Sequence, residues 1–202
     1  NATAMTSGGE TLVNMTLYTN ETGSWEARNT SLTYTENENP HLPTSTYSGT
    51  GKTGMKVNFT TSFNLITVSL QSGGTATQGY ICDDYACSTT YDTAPVVGGV
   101  ASFEYEVTAG TDYFILFDNS GGSYTINYAN DQSPTYPLEV NDMWYISGWN
   151  QDGNSNSGYS RAINTIYTNT TEYTATWTRT ITDGIIWGVQ GCDTSTCFFS
   201  AN

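Results

Sequence analysis

A chain of 202 residues with a formal net charge of -14, five Lys and Arg in all and 12% charged residues is acidic for want of bases rather than through blocks of carboxylates. So few cations exclude a phosphate backbone as the partner, and with it nucleic-acid binding. Seven Phe, five Trp and fifteen Tyr supply apolar area for a β-sandwich-sized core, while the abundance of Thr, Ser, Tyr, Gly and Asn without runs of helix formers excludes a helical fold.

Taken in order, the chain opens on a polar leader, Asn1–Glu10, followed by Thr11–Tyr18 (TLVNMTLY). There Val13, Met15 and Leu17 fall on one face and Asn14, Thr16 and Tyr18 on the other, the period of a strand. Asn14-Met15-Thr16 is an N-glycosylation sequon whose Asn lies on the polar face, so a sugar would point to solvent. Polar sequence on both sides lets this strand leave its own body. Residues 1–20 are therefore expected as an N-terminal arm and 21–202 as a sandwich body.

Thr19–Ser31 and Glu36–Ser48, with Trp25, Pro40 and Pro43 in polar surroundings, read as loop-rich surface. Strands are predicted over Met55–Phe59, Leu65–Leu70 and Gly79–Ile81, and over Val100–Thr108, where Phe103, Tyr105 and Val107 alternate with Glu104 and Glu106. The unbroken apolar run in Asp112–Asp118 predicts a central strand covered on both faces, and Asn119–Gly122 turns the chain into Tyr124–Tyr128. Leu138–Trp149 and Arg161–Tyr167 read as further strands. Tyr173–Thr182, turning at Asp183-Gly184 into Ile185–Val189, carries the strongest hairpin pattern.

The four Cys stand as Cys82-x4-Cys87 and Cys192-x4-Cys197. Equal short spacings predict two local disulfides and an oxidising compartment. Zinc is not assigned, because His41 is the only histidine and the spacings are not those of zinc knuckles. Asn150, Asp152, Asn154 and Asn156 alternate in a loop that offers oxygen ligands, but Arg161 stands where a calcium loop closes with Glu, so no metal is assigned there either. Sequons at Asn1, Asn14, Asn20, Asn29, Asn58 and Asn169 predict N-linked glycans, and Asn58, like Asn14, lies opposite an apolar strand face. No apolar run spans a membrane as a helix, and Asn1 in place of Met is expected to follow a removed signal peptide.

No catalytic set emerges. Glu104 and Glu106 share one strand face rather than flanking a cleft from two strands, and a lone His without G-x-S-x-G gives no serine hydrolase. Trp144, Trp149 and Trp25 could form a sugar-stacking platform or belong to the core. Lys52 and Lys56 beside Asn and Asp admit an intramolecular isopeptide crosslink. No cofactor is expected.

Two resemblances follow from these residues. Val107–Tyr128, VTAGTDYFILFDNSGGSYTINY, resembles the closing strands of bacterial pre-peptidase C-terminal β-sandwich domains, which implies a jelly-roll-like sandwich of accessory type. The sequons, the base-poor Thr/Asn/Tyr-rich body and Thr11–Tyr18 together resemble the thread-filament subunits of thermoacidophilic archaea. That likeness implies an all-β chain, a single jelly-roll or immunoglobulin-like sandwich with an N-terminal donor strand. It further implies a non-enzymatic subunit of an extracellular, glycosylated surface filament for adhesion or biofilm formation. Its partners would be copies of itself, joined head to tail by Val13, Met15 and Leu17 filling the next subunit's groove. The alternatives are a secreted carbohydrate-binding module and a secreted glycosidase.

Overall fold

The computed structural model describes residues 2–5, 12–19, 24–32, 34–41, 45–63, 65–120, 122–129, 135–149, 155–156, 160–169, 172–175, 187–193 and 197–201. Every regular element among them is a β-strand. The strands are β1 (Ala2–Met5), β2 (Leu12–Thr19), β3 (Glu26–Leu32), β4 (Tyr34–Glu38), β5 (Ser45–Gly49), β6 (Thr53–Phe59) and β7 (Leu65–Leu70). Then follow β8 (Gln78–Cys82), β9 (Thr90–Pro95), β10 (Val100–Phe103), β11 (Asp112–Asp118), β12 (Tyr124–Ala129), β13 (Leu138–Val140) and β14 (Met143–Trp149). The last are β15 (Ser155–Asn156), β16 (Ser160–Arg161), β17 (Ile163–Asn169), β18 (Glu172–Ala175), β19 (Trp187–Asp193) and β20 (Cys197–Ala201). The fold is all-β, as the composition predicts.

The chain forms two compact units, one of Asn1–Thr35 with Asn169–Asn202 and one of the continuous stretch Glu36–Thr168. The division falls at residues 35 and 168.

The continuous unit is an antiparallel β-sandwich. A sheet ordered β13-β14-β6-β11-β8-β9, with β15 beside β14, packs against strands ordered β10-β7-β17-β4 and β16-β12-β5. Period-two alternation sends Met55, Val57 and Phe59 of β6 and Tyr113, Ile115 and Phe117 of β11 inward, where they meet Ile66 and Val68 of β7, Ile126 of β12 and Ile166 of β17. These side chains share one buried cluster, and each contributes about 1.5–3 kcal/mol on leaving water.

The run in β11 is buried on both faces, as predicted. Phe114 and Leu116 point away from the main core into a second cluster with Cys82, covered by Tyr80, Cys87 and Trp149. Gly54 is required where β6 meets β11, since a Cβ there would lie 2.0 Å from the Ile115 carbonyl oxygen. β11 and β12 are sequence neighbours in different sheets, so the segment that resembles the pre-peptidase domains crosses from one layer to the other.

Strands β3, β4 and β5 stand in or across the loops expected over Thr19–Ser31 and Glu36–Ser48. The tract lacks an apolar face, which hides it from periodicity, yet Thr, Tyr and Ser suit extended backbone. β5 is an edge strand of its sheet with an exposed row of side chains, and β4 is held by polar rather than apolar contacts. Asn37 Nδ2 donates to the Ile166 carbonyl at 3.1 Å and to Thr168 Oγ1 at 3.3 Å, and the Tyr145 hydroxyl donates to the Asn37 carbonyl at 2.6 Å. The strand expected over Val100–Thr108 ends at Phe103; Glu104 and Glu106 are exposed outside it, and Val107 bridges Phe63.

Candidate assembly sheet

The unit built from both chain ends contains β2, the strand that the sequence singles out. Its sheet runs β20-β19-β2-β3, and β1 pairs separately with β18. β2 is an interior strand. On one edge Leu17 faces Val189, Met15 faces Gly191 and Asn14 faces Cys192 of β19; on the other, Met15 faces Ser31 and Asn14 faces Leu32 of β3. Within one copy, therefore, β2 pairs at home along both edges.

Met15 is fully buried, Leu17 is half-buried, and the Val13 side chain lies outside the described residues. Thr16 and Thr19 are buried as well, so both faces of β2 are covered in part. The Tyr18 hydroxyl donates to Gln190 Oε1 at 3.1 Å, and its ring meets Phe199 edge-on at 5.6 Å. Trp25 meets the same Phe199 edge-on at 5.1 Å. Phe198, at 72% exposure, faces outward from the edge strand β20.

Both predicted disulfides are present, Cys82–Cys87 and Cys192–Cys197. The second ties β19 to β20 at a directly opposed pair, next to the place where Asn14 faces Cys192. The first closes the loop after β8 and brings Tyr85 onto Trp149, with the rings stacked 5.1 Å apart.

The sequons separate. Asn14 and Asn58 are half-buried on strands. Asn169 ends β17 at 4% exposure, where a glycan would have to displace its surroundings. Asn1, Asn20 and the side chain of Asn29 lie outside the described residues. Asn58 Nδ2 donates to Asp112 Oδ1 at 2.9 Å, and Lys56 pairs with Asp112 Oδ2 at 2.6 Å. Burial alone would push the Asp112 carboxyl up, but the hydrogen bonds from Lys56 and Asn58 and the Lys56 charge outweigh it and hold it low.

Each described tryptophan has its own surroundings within its unit. Trp25 packs on Phe199, Trp149 on Tyr85 and Phe114, and Trp144 faces Asn58 across β14 and β6. Lys52 sits over the Tyr80 ring at 4.6 Å. Most of the loop Asn150–Asn156 and the turn at Asp183-Gly184 lie outside the described residues. The described residues at the two ends of the hairpin expected there lie in β18, which pairs with β1, and in β19, which pairs with β2 and β20.

The sequence singles out β2 and, through Ile185–Val189, the start of β19, but not β3, which has no apolar alternation, nor the pairing of these strands, which leaves no local signal. No protein-family model, no curated protein and no solved structure matches the chain.

Proposed function

We propose that the chain is a structural subunit of an extracellular, glycosylated surface filament, assembled by passing β2 of one copy into the sheet of the next. The supporting observation is that β2 is interior to a sheet whose other members, β3, β19 and β20, follow it in sequence. Withdrawing β2 leaves the facing edges of β3 and β19 without ladder partners, which is an acceptor for a strand of the same sequence. A second copy's β2 makes the same contacts there, with Met15 in the same buried place. Cis and trans closure then differ mainly in linker strain and effective concentration. Because donor and acceptor are different surfaces of one chain, trans closure repeats head to tail. Adhesion or biofilm formation suits a filament with this polar, base-poor and glycan-bearing character.

Paired cysteines at Leu17 and Val189, which face each other across β2 and β19, test the reading. Directly opposed Cα atoms in a sheet lie within disulfide reach. In native material, Leu17→Cys with Val189→Cys gives a ladder of covalent multimers on non-reducing gels, and electron micrographs show filaments. Monomeric crosslinked product alone, with no filaments at any concentration, overturns the proposal.

A further inference from the structure

Across the outer face of the seven-stranded sheet, one row of side chains runs from β13 to β11. Glu139 faces Trp144, Trp144 faces Asn58 and Asn58 faces Asp112. All lie on the face opposite the main core, since the flanking Val57, Phe59, Met143 and Tyr145 are fully buried within it. Glu139 is exposed, and Trp144 and Asn58 are half-exposed. Trp25 and Trp149 both have ring partners, whereas the Trp144 indole has neither a ring nor a hydrogen-bond partner among the described residues.

We propose that Trp144 is the platform for an N-glycan carried by Asn58, with the first sugar ring lying on the indole face and its far hydroxyls directed at Glu139. The inference rests on the glycoprotein part of the reading above and adds a defined contact to it. Neighbouring strands are about 4.8 Å apart, which puts Trp144 about 5 Å and Glu139 about 10 Å from Asn58, the reach of one sugar ring and its substituents. The Asn58 amide is also held. One N–H of Nδ2 is held by Asp112 at 2.9 Å, and Asp112 is anchored by Lys56, while the other N–H has no partner among the described residues. Glycosylation replaces that second N–H and leaves the first free to keep its bond to Asp112.

The transfer draws its sugar from a polyprenyl diphosphate-linked oligosaccharide. The bond from sugar C1 to phosphate oxygen breaks, the polyprenyl diphosphate leaves with the bonding electron pair, C1 joins Nδ2, and the proton that Nδ2 loses passes to water. Asn58-Phe59-Thr60 is the acceptor sequon. In the folded chain the Thr60 hydroxyl donates to the Asp142 carbonyl at 2.7 Å, so the transfer belongs to the newly exported chain before β6 and β14 have closed. The indole then supplies an apolar face for the sugar's C–H surface, and Glu139 an acceptor for its hydroxyls.

The test is a double-mutant cycle on the glycosylated, full-length protein from its native export route. Asn58→Gln removes the glycan, and Trp144→Ala removes the platform. Glycopeptide mass spectrometry is expected to find Asn58 occupied in the unaltered protein and in the Trp144→Ala variant. Loss of the glycan should lower Tm by about 2–4 °C where Trp144 is intact, the shift of one ordinary contact in a chain of this size, and should leave Tm nearly unchanged in the Trp144→Ala background. Trp144→Phe should restore most of the coupling. Equal Tm shifts in both backgrounds overturn the contact, as does an unmodified Asn58. Should the Trp144→Ala variant fail to fold, nuclear Overhauser contacts between indole and sugar protons in the unaltered protein decide, and their absence overturns the proposal. Filaments in the same preparations, scored by electron microscopy, keep this outcome separate from that of strand exchange.

Discussion

Asn39 shows how single polar side chains hold this fold. Its Nδ2 donates to Ser160 Oγ at 2.7 Å and to the Ile163 carbonyl at 2.9 Å. Its Oδ1 accepts from the Tyr136 hydroxyl at 2.5 Å and from the His41 backbone N–H at 3.2 Å. All of these groups are buried, so Asn39→Ala strands several of them at once and is expected to cost about 2–4 kcal/mol, read as a lower urea midpoint with an unchanged slope. Titrating groups set the pH range. Burial pushes Tyr136 up to about 12, and burial together with the hydrogen bond to Asp118 and its charge does the same for Tyr80. A raised folded-state value means that their contribution is complete below pH 10.0 and is lost as pH rises to about 12. On the acid side, hydrogen bonds from the Ser88 side chain and backbone hold Asp84 below its ordinary 3.8, and Asp112 is low for the reasons above. Their contribution is present above pH 3.8 and fades as pH falls through the lowered values. Thermal melts should therefore show these groups' loss of stability as pH rises from 10.0 to about 12 and again as pH falls below 3.8.

At the scale of elements, the two Cys loops staple different things. Cys82–Cys87 closes a loop over Phe114 and Leu116. Replacing both cysteines by Ala is expected to cost about 2 kcal/mol in loop closure and to loosen the cover of that second cluster, seen as faster amide exchange in β8 and β11. Cys192–Cys197 ties β19 to β20, the pair against which β2 lies, so replacing Cys192 and Cys197 by Ala, with Cys82–Cys87 intact, should speed the exchange of β2 amides while leaving those of β6 and β11 unchanged. The strands Leu65–Leu70 and Asp112–Asp118 were legible to the residue, because apolar alternation or an unbroken apolar run marks a buried strand wherever it occurs. Strands β3 to β5 were not, because their stability comes from ladder bonds and from Asn37 and its partners, which no local pattern records.

At the scale of the whole molecule, the main core cluster draws, among the described residues, on those between Met55 and Ile166, all inside the continuous unit Glu36–Thr168. That stretch, expressed alone under oxidising conditions, is expected to fold cooperatively, with dispersed tyrosine and methyl resonances. The other unit needs both chain ends, since β1 pairs with β18 and β2 with β19. Deleting residues 1–19 should therefore leave the continuous unit folded while β19 and β20 lose protection, and a synthetic 1–19 peptide should restore it. Recovery with peptide supplied in trans is the behaviour strand exchange needs.

The sequence by itself determined the all-β class, the two local disulfides and the buried strands, for each is written in residues close together along the chain: an alternation of apolar side chains or two Cys five positions apart. The tertiary structure alone decided that the ends of the chain join in a unit of their own, that β2 lies between β19 and β3, and that Trp144 stands beside Asn58 rather than beside Trp149. Those facts depend on pairings between residues far apart in sequence. Ladder bonds are made by backbone groups common to every residue, so the choice of partner strand is set by how the whole chain buries its apolar faces at once.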